Sequence, residues 1–276
     1  SFVALSQAMA LSFHTASLSF AGAVAPVAQR AGAISMETVE DLKAMAPKLN
    51  PIVGYWNPLS LGETSVGSAY DAEAAIGYLR HSEIKHGRVA MAAFVGFIVQ
   101  SNGIHFPWNI AGGIPYADIS AAGGPAAQWD AVPTAGKLQI LGTIFALELW
   151  GEGKTALAAD GQKHYMRGGK PGYYPTFDLF RDTVHPLPLN LFASPLAKNM
   201  TPEKKERGLL IEINNGRAAQ LGIISFMAEA RVPGSVPPLS GLGIAPYSGE
   251  CMAPFSASDN LPFVQEMLAF GNGGYF

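Results

Sequence analysis

Three apolar segments, separated by polar stretches rich in glycine and proline, set the pattern of this chain. They run from about Ala72 to Ser101, from about Lys137 to Trp150 and from about Pro202 to Arg231, and each predicts a helical rod. Their purely apolar cores are only about 10 to 14 residues long, shorter than the ~20 residues of a typical membrane span. Hydropathy alone therefore leaves two alternatives open: buried helices of a soluble protein, or helices that cross a membrane.

The placement of basic residues favours the membrane alternative. Neither lysine nor arginine occurs in residues 101–136 or in residues 232–276. By contrast, 15 of the 18 basic residues lie in residues 1–88 and 151–207. In a three-rod arrangement these two regions share one side of the membrane, and basic loops stay on the side of synthesis. We therefore predict three transmembrane helices, with the N-terminus on the basic side and the C-terminus across the membrane.

Two short stretches of the chain resemble copies of one another. The first reads EIKHGR at residues 83–88 and the second reads EINNGR at residues 212–217, and both run into an apolar segment. Residues three apart lie on the same face of a helix, so each copy presents a carboxylate beside a histidine or an asparagine. An arginine follows two positions later. Each copy thus offers two metal ligands and one cation at the polar end of a rod.

The four charged residues of the copies predict a pair of reciprocal ion pairs. An unpaired charge at or inside a membrane is costly. The first and third rods run in the same direction, because one span separates them. If they cross with a local twofold, Arg88 reaches Glu212 and Arg217 reaches Glu83, which neutralises all four charges.

Ion pairing does not explain the histidine and the asparagine of the copies. Both side chains can point a lone pair outward and serve as axial metal ligands. One alternative is a soluble di-iron carboxylate bundle, which uses Glu-x-x-His twice with two further glutamates. Glu83 and His86 fit that pattern, but Asn215 breaks the second copy. The other alternative is a metal held mainly by a macrocycle, such as the magnesium of chlorophyll, which needs one ligand from the protein.

Composition excludes several classes of function. The chain has 276 residues, of which 49% are hydrophobic and only 14% charged, against about 25% charged in a typical soluble domain. A net charge of −3 without a basic patch does not predict nucleic-acid binding. The single cysteine, Cys251, excludes an intramolecular disulfide and a cysteine metal cage. No nucleophile, general base or phosphate-binding loop is credibly arranged, so we predict no enzymatic activity.

The doubled motif resembles that of the light-harvesting chlorophyll a/b–a/c binding protein superfamily, whose first and third membrane helices each carry E-x-x-[H/N]-x-R. The resemblance covers about Asn50 to Arg231. It implies an all-α membrane protein in which the first and third of three transmembrane helices cross as a pseudo-twofold pair, with long loops and short amphipathic helices. The long Gly/Ala/Pro loop at 111–136 and the run LELW at 147–150 most resemble dinoflagellate chlorophyll a–c–peridinin antennae, which are similar to fucoxanthin-chlorophyll proteins.

The resemblance also implies a set of pigment ligands. The axial ligands to chlorophyll magnesium would be Glu83, His86, Glu212 and Asn215, with Arg88 and Arg217 as ion-pair partners. Weaker candidates are Gly96, where water bridges the backbone to magnesium in the family, Gln139 and Glu148 on the middle helix, the loop residue His105, and Glu229. Close packing is the alternative for Gly96, and an ordinary loop role for His105. Glu229 stands where many members have glutamine, and capping of the helix end is its alternative role.

Two proline-containing turns precede the two copies. They read YWNPL at 55–59 and PLNLF at 188–192. In the family such turns bind the polar ends of carotenoids, which implies roles for Trp56, Asn57, Pro58 and Asn190. Without the family, each turn could simply lie on a membrane surface. The final region contains no histidine, a departure that puts in doubt a chlorophyll bound by a C-terminal histidine.

The implied function is that of an antenna. Its cofactors would be chlorophyll a, chlorophyll c and carotenoids of the peridinin, diadinoxanthin or fucoxanthin type. Its partners would be a photosystem core, with photosystem I favoured over photosystem II, neighbouring antenna subunits and thylakoid lipids. The protein would lie in the plastid thylakoid membrane with its N-terminus stromal and its C-terminus lumenal. The alternative within the family is a photoprotective quencher.

This interpretation divides the chain into three regions. Residues 1–35, rich in alanine and serine and free of acidic residues, resemble a plastid-targeting leader or a retained N-terminal segment. Residues 36–231 would form the three-helix membrane domain. Residues 232–276 would form a C-terminal tail on the lumenal side.

Overall fold

Two parallel helices of 30 residues each form the centre of the structure. A computed structural model describes residues 38–60, 72–110, 112–176, 201–251 and 253–271. The predicted leader at 1–35 and the second predicted carotenoid turn, with Asn190, lie outside this part of the chain. The helices are α1 (Val39–Leu49), α2 (Ala72–Ser101), α3 (Tyr116–Ser120), α4 (Pro125–Ala131), α5 (Thr134–Glu152), α6 (Lys154–Ala159), α7 (Pro202–Arg231) and α8 (Pro262–Gly271). Two 3-10 turns cover Tyr165–Arg167 and Ala257–Asp259.

The described residues contain helices and one isolated bridge, between Asn109 and Pro115, but no strand. This confirms the all-α prediction. Within the same ranges, no helix reaches the combination of length and apolarity that a membrane crossing requires. The number of transmembrane helices therefore stays a prediction.

Helices α2 and α7 cross at two glycines, one from each copy of the motif. A Cβ placed on Gly87 would lie 3.0 Å from the Cα of Gly216, and a Cβ on Gly216 would lie 2.9 Å from the Cα of Gly87. Farther along both helices, Phe94 and Phe97 stack on Phe226 with ring centroids 5.1 and 5.0 Å apart. The contacts advance in the same direction along the two helices, so the pair is parallel, as predicted.

Helix α5 stands apart from this pair. It begins three residues before the predicted start at Lys137 and ends two residues after the predicted end at Trp150. Nearly every side chain from Leu138 to Leu149 is exposed, including Phe145 at 64%. A helix that is apolar on all sides is normally buried on all sides. Within the described ranges, no other part of the chain covers these side chains of α5.

The stretch at 111–136, predicted as a long loop, instead holds two short helices and the start of α5. Helix α4 begins with Pro125 in its first turn, where the missing N–H of proline costs nothing. Its buried Gln128 donates hydrogen bonds to the carbonyl oxygens of Gln100 and Gly123, at 3.1 and 2.8 Å. Glycine and proline thus mark helix ends here rather than an irregular loop.

The predicted C-terminal tail also contains ordered structure, the turn at Ala257–Asp259 and helix α8. Asp259 fastens it to the first turn of α5. Its carboxylate accepts hydrogen bonds from the Nζ of Lys137 and the Oγ1 of Thr134, both at 2.7 Å. Burial raises the pKa of Asp259, but these hydrogen bonds and one from the Ser256 backbone outweigh it and lower the pKa to about 2. The Lys137 side chain is completely buried in this ion pair.

A substitution at the crossing tests the role of the paired glycines. We expect Gly87→Ala to destabilise the protein by about 1–3 kcal/mol, because the added Cβ forces two backbones apart. The measurement is the thermal midpoint for loss of helical circular dichroism. The matched control is Gly208→Ala on α7, where a Cβ meets open space and should stabilise the helix by up to about 1 kcal/mol. Equal effects at the two positions would contradict the close-packing role.

Candidate functional site

Two ion pairs join α2 and α7 on either side of the glycine crossing. The Nε of Arg88 donates to Glu212 at 2.6 Å, and the guanidinium of Arg217 donates to Glu83 at 2.7 Å. These are the reciprocal pairs that the duplicated motif predicts. We call the four residues the clasp. Since each helix gives one carboxylate and one cation, the clasp neutralises both helices where they meet.

The two halves of the clasp differ in their further contacts. Glu83 also pairs with Arg80, one turn earlier on α2, and the Arg80 side chain is almost fully buried. On the other half, Arg88 also donates to the carbonyl oxygen of Gly172 at 2.7 Å. Neither contact was predicted from the sequence. The i,i+3 spacing of Arg80 and Glu83 was a usable signal, whereas nothing local in the sequence points from Arg88 to Gly172.

The histidine of the first copy is exposed, and one of its ring nitrogens is already fixed. The Nδ1 of His86 lies 2.7 Å from the carbonyl oxygen of Ser82. A carbonyl oxygen only accepts, so in the neutral imidazole Nδ1 carries the proton and Nε2 keeps its lone pair. This partner is of the kind that orients metal-ligating histidines. The geometry therefore leaves His86 with one outward ligand atom.

The asparagine of the second copy, Asn215, is also exposed on its helix. Its neighbour Asn214 points elsewhere and donates to the carbonyl oxygen of Leu49, at the end of α1, at 3.3 Å. The amide oxygen of Asn215 is a potential ligand of the same kind as the Nε2 of His86. The two i+3 positions of the motif thus both present ligand side chains to the outside.

The two candidates on α5 lie in different settings. Gln139 lines an apolar cleft of about 630 Å³ together with Tyr116, Ile140 and Thr143. Glu148 lies near the other end of the helix, where it forms an ion pair with Lys85 of α2. The structure therefore gives Glu148 a partner that the sequence analysis did not identify.

The structure separates the alternative roles of Gly96 and Glu229. A Cβ on Gly96 would meet no atom of the described residues within 4 Å, so Gly96 does not pack closely against this part of the chain. The buried carboxylate of Glu229 accepts hydrogen bonds from the backbone N–H groups of Gly234 and Val236, at 2.8 and 2.9 Å. Two roles were predicted for Glu229, a ligand and a helix cap. The structure shows it as a cap at the end of α7.

The loop candidates lie on the surface. The exposed His105 has its Nδ1 3.0 Å from the carbonyl oxygen of Phe106. Trp56 is 75% exposed and lines a cleft of about 300 Å³ with Arg80, Glu83 and Arg217. The turn containing Trp56, Asn57 and Pro58 therefore borders the clasp. In this turn the Asn57 amide donates to the Tyr55 hydroxyl at 3.2 Å.

Large apolar side chains cover the outer faces of the helix pair. Val89 on α2 and Leu221 on α7 are 70% and 71% exposed, and Val95 and Ile224 are also mostly exposed. Like the side chains of α5, these residues leave large apolar groups exposed, a feature that marks an interaction surface. The ligand atoms of the motif thus emerge onto faces that favour an apolar partner.

The described residues do not form the di-iron alternative. In these ranges no three histidine, cysteine or carboxylate side chains cluster around a common point. Glu83 and Glu212 face arginines across the crossing rather than each other. Single, separated ligand atoms suit a metal whose other ligands come from its own macrocycle.

Comparisons with known proteins agree with this geometry. The family model for chlorophyll A-B binding protein matches residues 40–231. The chloroplastic fucoxanthin-chlorophyll a-c binding protein of Trieres chinensis is 30% identical over 214 residues, which cover 74% of this chain and 85% of the relative. Protein F of that name from Phaeodactylum tricornutum is 33% identical over 227 residues, 80% of this chain and 95% of the relative. Protein E from Macrocystis pyrifera is 31% identical over 215 residues, 76% and 82% of the two chains. The chain belongs to the chlorophyll A-B binding protein family.

Proposed function

We propose that this protein is a light-harvesting antenna that binds chlorophyll a, chlorophyll c and carotenoid in a thylakoid membrane and delivers excitation energy to a photosystem. The relatives are chloroplastic fucoxanthin-chlorophyll a-c binding proteins, which supports both the pigment classes and the location. We assign the chain no enzymatic activity. Photosystem I as the partner stays a prediction from the family resemblance.

One observation carries the proposal: outward ligand atoms on apolar helix faces, directly beside a charge-neutral crossing. His86 leaves its Nε2 free because Ser82 holds Nδ1. Asn215 offers its amide oxygen at the matching position of α7. A carboxylate oxygen has two lone pairs, so Glu83 and Glu212 can each accept from an arginine and still ligate magnesium. Bound chlorophyll supplies light absorption, and the chain supplies fixed positions.

The clasp explains how charged ligands are tolerated in an apolar environment. A lone carboxylate taken out of water pays a large desolvation penalty unless it is paired. Each clasp carboxylate has an arginine from the other helix, so each pair is neutral overall. The charged residues in the apolar part of the crossing are therefore present as neutral pairs rather than as single charges. We infer that both helices cross the membrane, with α5 as the third span.

The orientation follows from the basic residues. Those in residues 151–207 and 1–88 would lie on the stromal side, which places the N-terminus there and the tail at 232–276 in the lumen. The three-helix domain at 36–231 corresponds closely to the family match at 40–231. Residues 1–35 are proposed as a targeting leader or a retained segment. The turn with Trp56, beside the clasp, is proposed to hold one end of a carotenoid.

The pigment-binding assignment is tested on the purified, detergent-solubilised protein. We expect chlorophyll a, chlorophyll c and a carotenoid in pigment extracts, and a fluorescence excitation spectrum in which light absorbed by carotenoid and chlorophyll c produces chlorophyll a emission. A colourless protein would refute the proposal. A strongly shortened fluorescence lifetime under all conditions would identify the quencher instead of the antenna.

A substitution at His86 tests the axial ligand. We expect His86→Ala to lose one chlorophyll per chain and to keep the helix content, because the side chain is exposed and outside the clasp. The measurement is the chlorophyll-to-protein ratio. His86→Asn is the matched variant, since asparagine occupies this position in the second copy, and it should retain the pigment. Full pigment content in His86→Ala would exclude His86 as a ligand.

The asymmetry of the clasp predicts unequal effects of its two arginines. Arg88→Leu leaves Glu212 without a cation among the described residues, whereas Arg217→Leu leaves Glu83 paired with Arg80. An unpaired carboxylate costs roughly 3–5 kcal/mol when fully buried, and Glu212, which is partly exposed in the chain alone, approaches that limit once pigment and lipid cover it. We therefore expect the larger loss of stability from Arg88→Leu, measured as the thermal midpoint for loss of visible circular dichroism. Equal losses would show that Arg80 does not compensate.

A further inference from the structure

Helix α5 is connected to α2 at one end by a short segment of chain. The Tyr174 hydroxyl donates to the carbonyl oxygen of Leu147 at 2.9 Å, and the Tyr165 hydroxyl donates to Glu152 at 3.0 Å. Tyr165 also stacks on His81 of α2, with ring centroids 3.9 Å apart. Burial is the larger cause that raises the pKa of Tyr165 to about 12, and the hydrogen bond to Glu152 is the second. This phenol therefore stays neutral. Two uncharged tyrosine side chains of this segment thus hold this end of α5 in place.

A second connection is direct. Lys85 of α2 forms an ion pair with Glu148 of α5. In the described ranges it is the one ion pair that joins these two helices. It uses one carboxylate oxygen, Oε2, and the Glu148 side chain remains half exposed. The second oxygen, Oε1, is thus available on the surface of α5.

Helix α5 has no cation of its own for Glu148. Its single basic residue, Lys137, lies 11 positions earlier and is buried against Asp259. The neighbours of Glu148 on the same helix face include Phe145 and Glu152, and the second of these adds negative charge. A counter-charge for Glu148 therefore has to come from another element.

Lys85 is not required by the clasp. It occupies the third position of the first motif copy, and the matching residue of the second copy, Asn214, binds the end of α1 instead. As an ion pair in water, Lys85–Glu148 would contribute only about 0–1 kcal/mol. Its value rises once the exposed apolar surface around Glu148 is covered, because a carboxylate there needs a partner.

We propose that Lys85 is a positioning residue for a third chlorophyll bound through a carboxylate, the one on Glu148. Lys85 balances the charge of Glu148 from a neighbouring helix and turns the free oxygen outward, as the clasp arginines do for Glu83 and Glu212. This inference rests on the proposed pigment-binding function. Charged residues of α2 would then pair with chlorophyll-binding carboxylates on both α7 and α5.

The test replaces the cation and the carboxylate separately and together. The full chain is reconstituted with chlorophyll a, chlorophyll c and carotenoid, and chlorophylls per chain are counted by chromatography. We expect Lys85→Met to lose one chlorophyll and Lys85→Arg to lose none. Glu148→Gln should retain the full number, because a glutamine ligand is neutral. For the same reason, the double variant Lys85→Met/Glu148→Gln should regain the pigment lost by Lys85→Met.

The rescue distinguishes positioning from a purely structural ion pair. Equal losses in Lys85→Met and the double variant, including loss of all pigment by misfolding, would overturn the proposal, as would full pigment content in Lys85→Met. Full pigment content in Glu148→Ala would also overturn it while leaving the antenna function intact. Failure of the unmodified chain to bind any chlorophyll would instead refute the proposed function. The control Lys154→Met, at an exposed lysine on α6, should change nothing.

Discussion

The close approach of α2 and α7 at Gly87 and Gly216 is the constraint on which the rest of the structure depends. Because neither position carries a side chain, the backbones come near enough for each arginine to reach the opposite carboxylate. The charges then cancel inside the crossing, and the outer helix faces stay free for ligand atoms. Close packing and charge balance are therefore one property of this pair, since a wider separation would weaken both.

The crossing has a symmetric centre and asymmetric surroundings. The motif repeats its carboxylate, glycine and arginine, and these form the symmetric part. The third position differs between the copies, and it connects to different elements: Lys85 to α5, and Asn214 to α1. Arg80 adds a second cation on one side only. The duplicated motif thus builds the core, while its variable third position attaches α5 and α1 to it.

Much of this was predictable because the sequence repeats itself. The bounds of α2 and α7 follow from the apolar pattern, and the clasp follows from two copies of one motif on parallel helices. Lys85–Glu148 was not predictable, because it joins residues 63 positions apart with no repeat to relate them. The helices at 116–131 and 262–271 were missed since glycine and proline there mark helix ends. The cap that Glu229 forms was visible only in the structure, because its two N–H donors lie beyond the helix end.

The isolation of α5 has a consequence for how this protein comes into being. A helix that is apolar all round and touches its neighbours mainly near its two ends gains little by folding alone. The free energy that holds its middle must come from molecules that the chain does not encode. Packing of α5 and binding of the molecules that cover it are then a single event. The amount of folded protein is therefore set by the supply of those molecules as well as by synthesis of the chain.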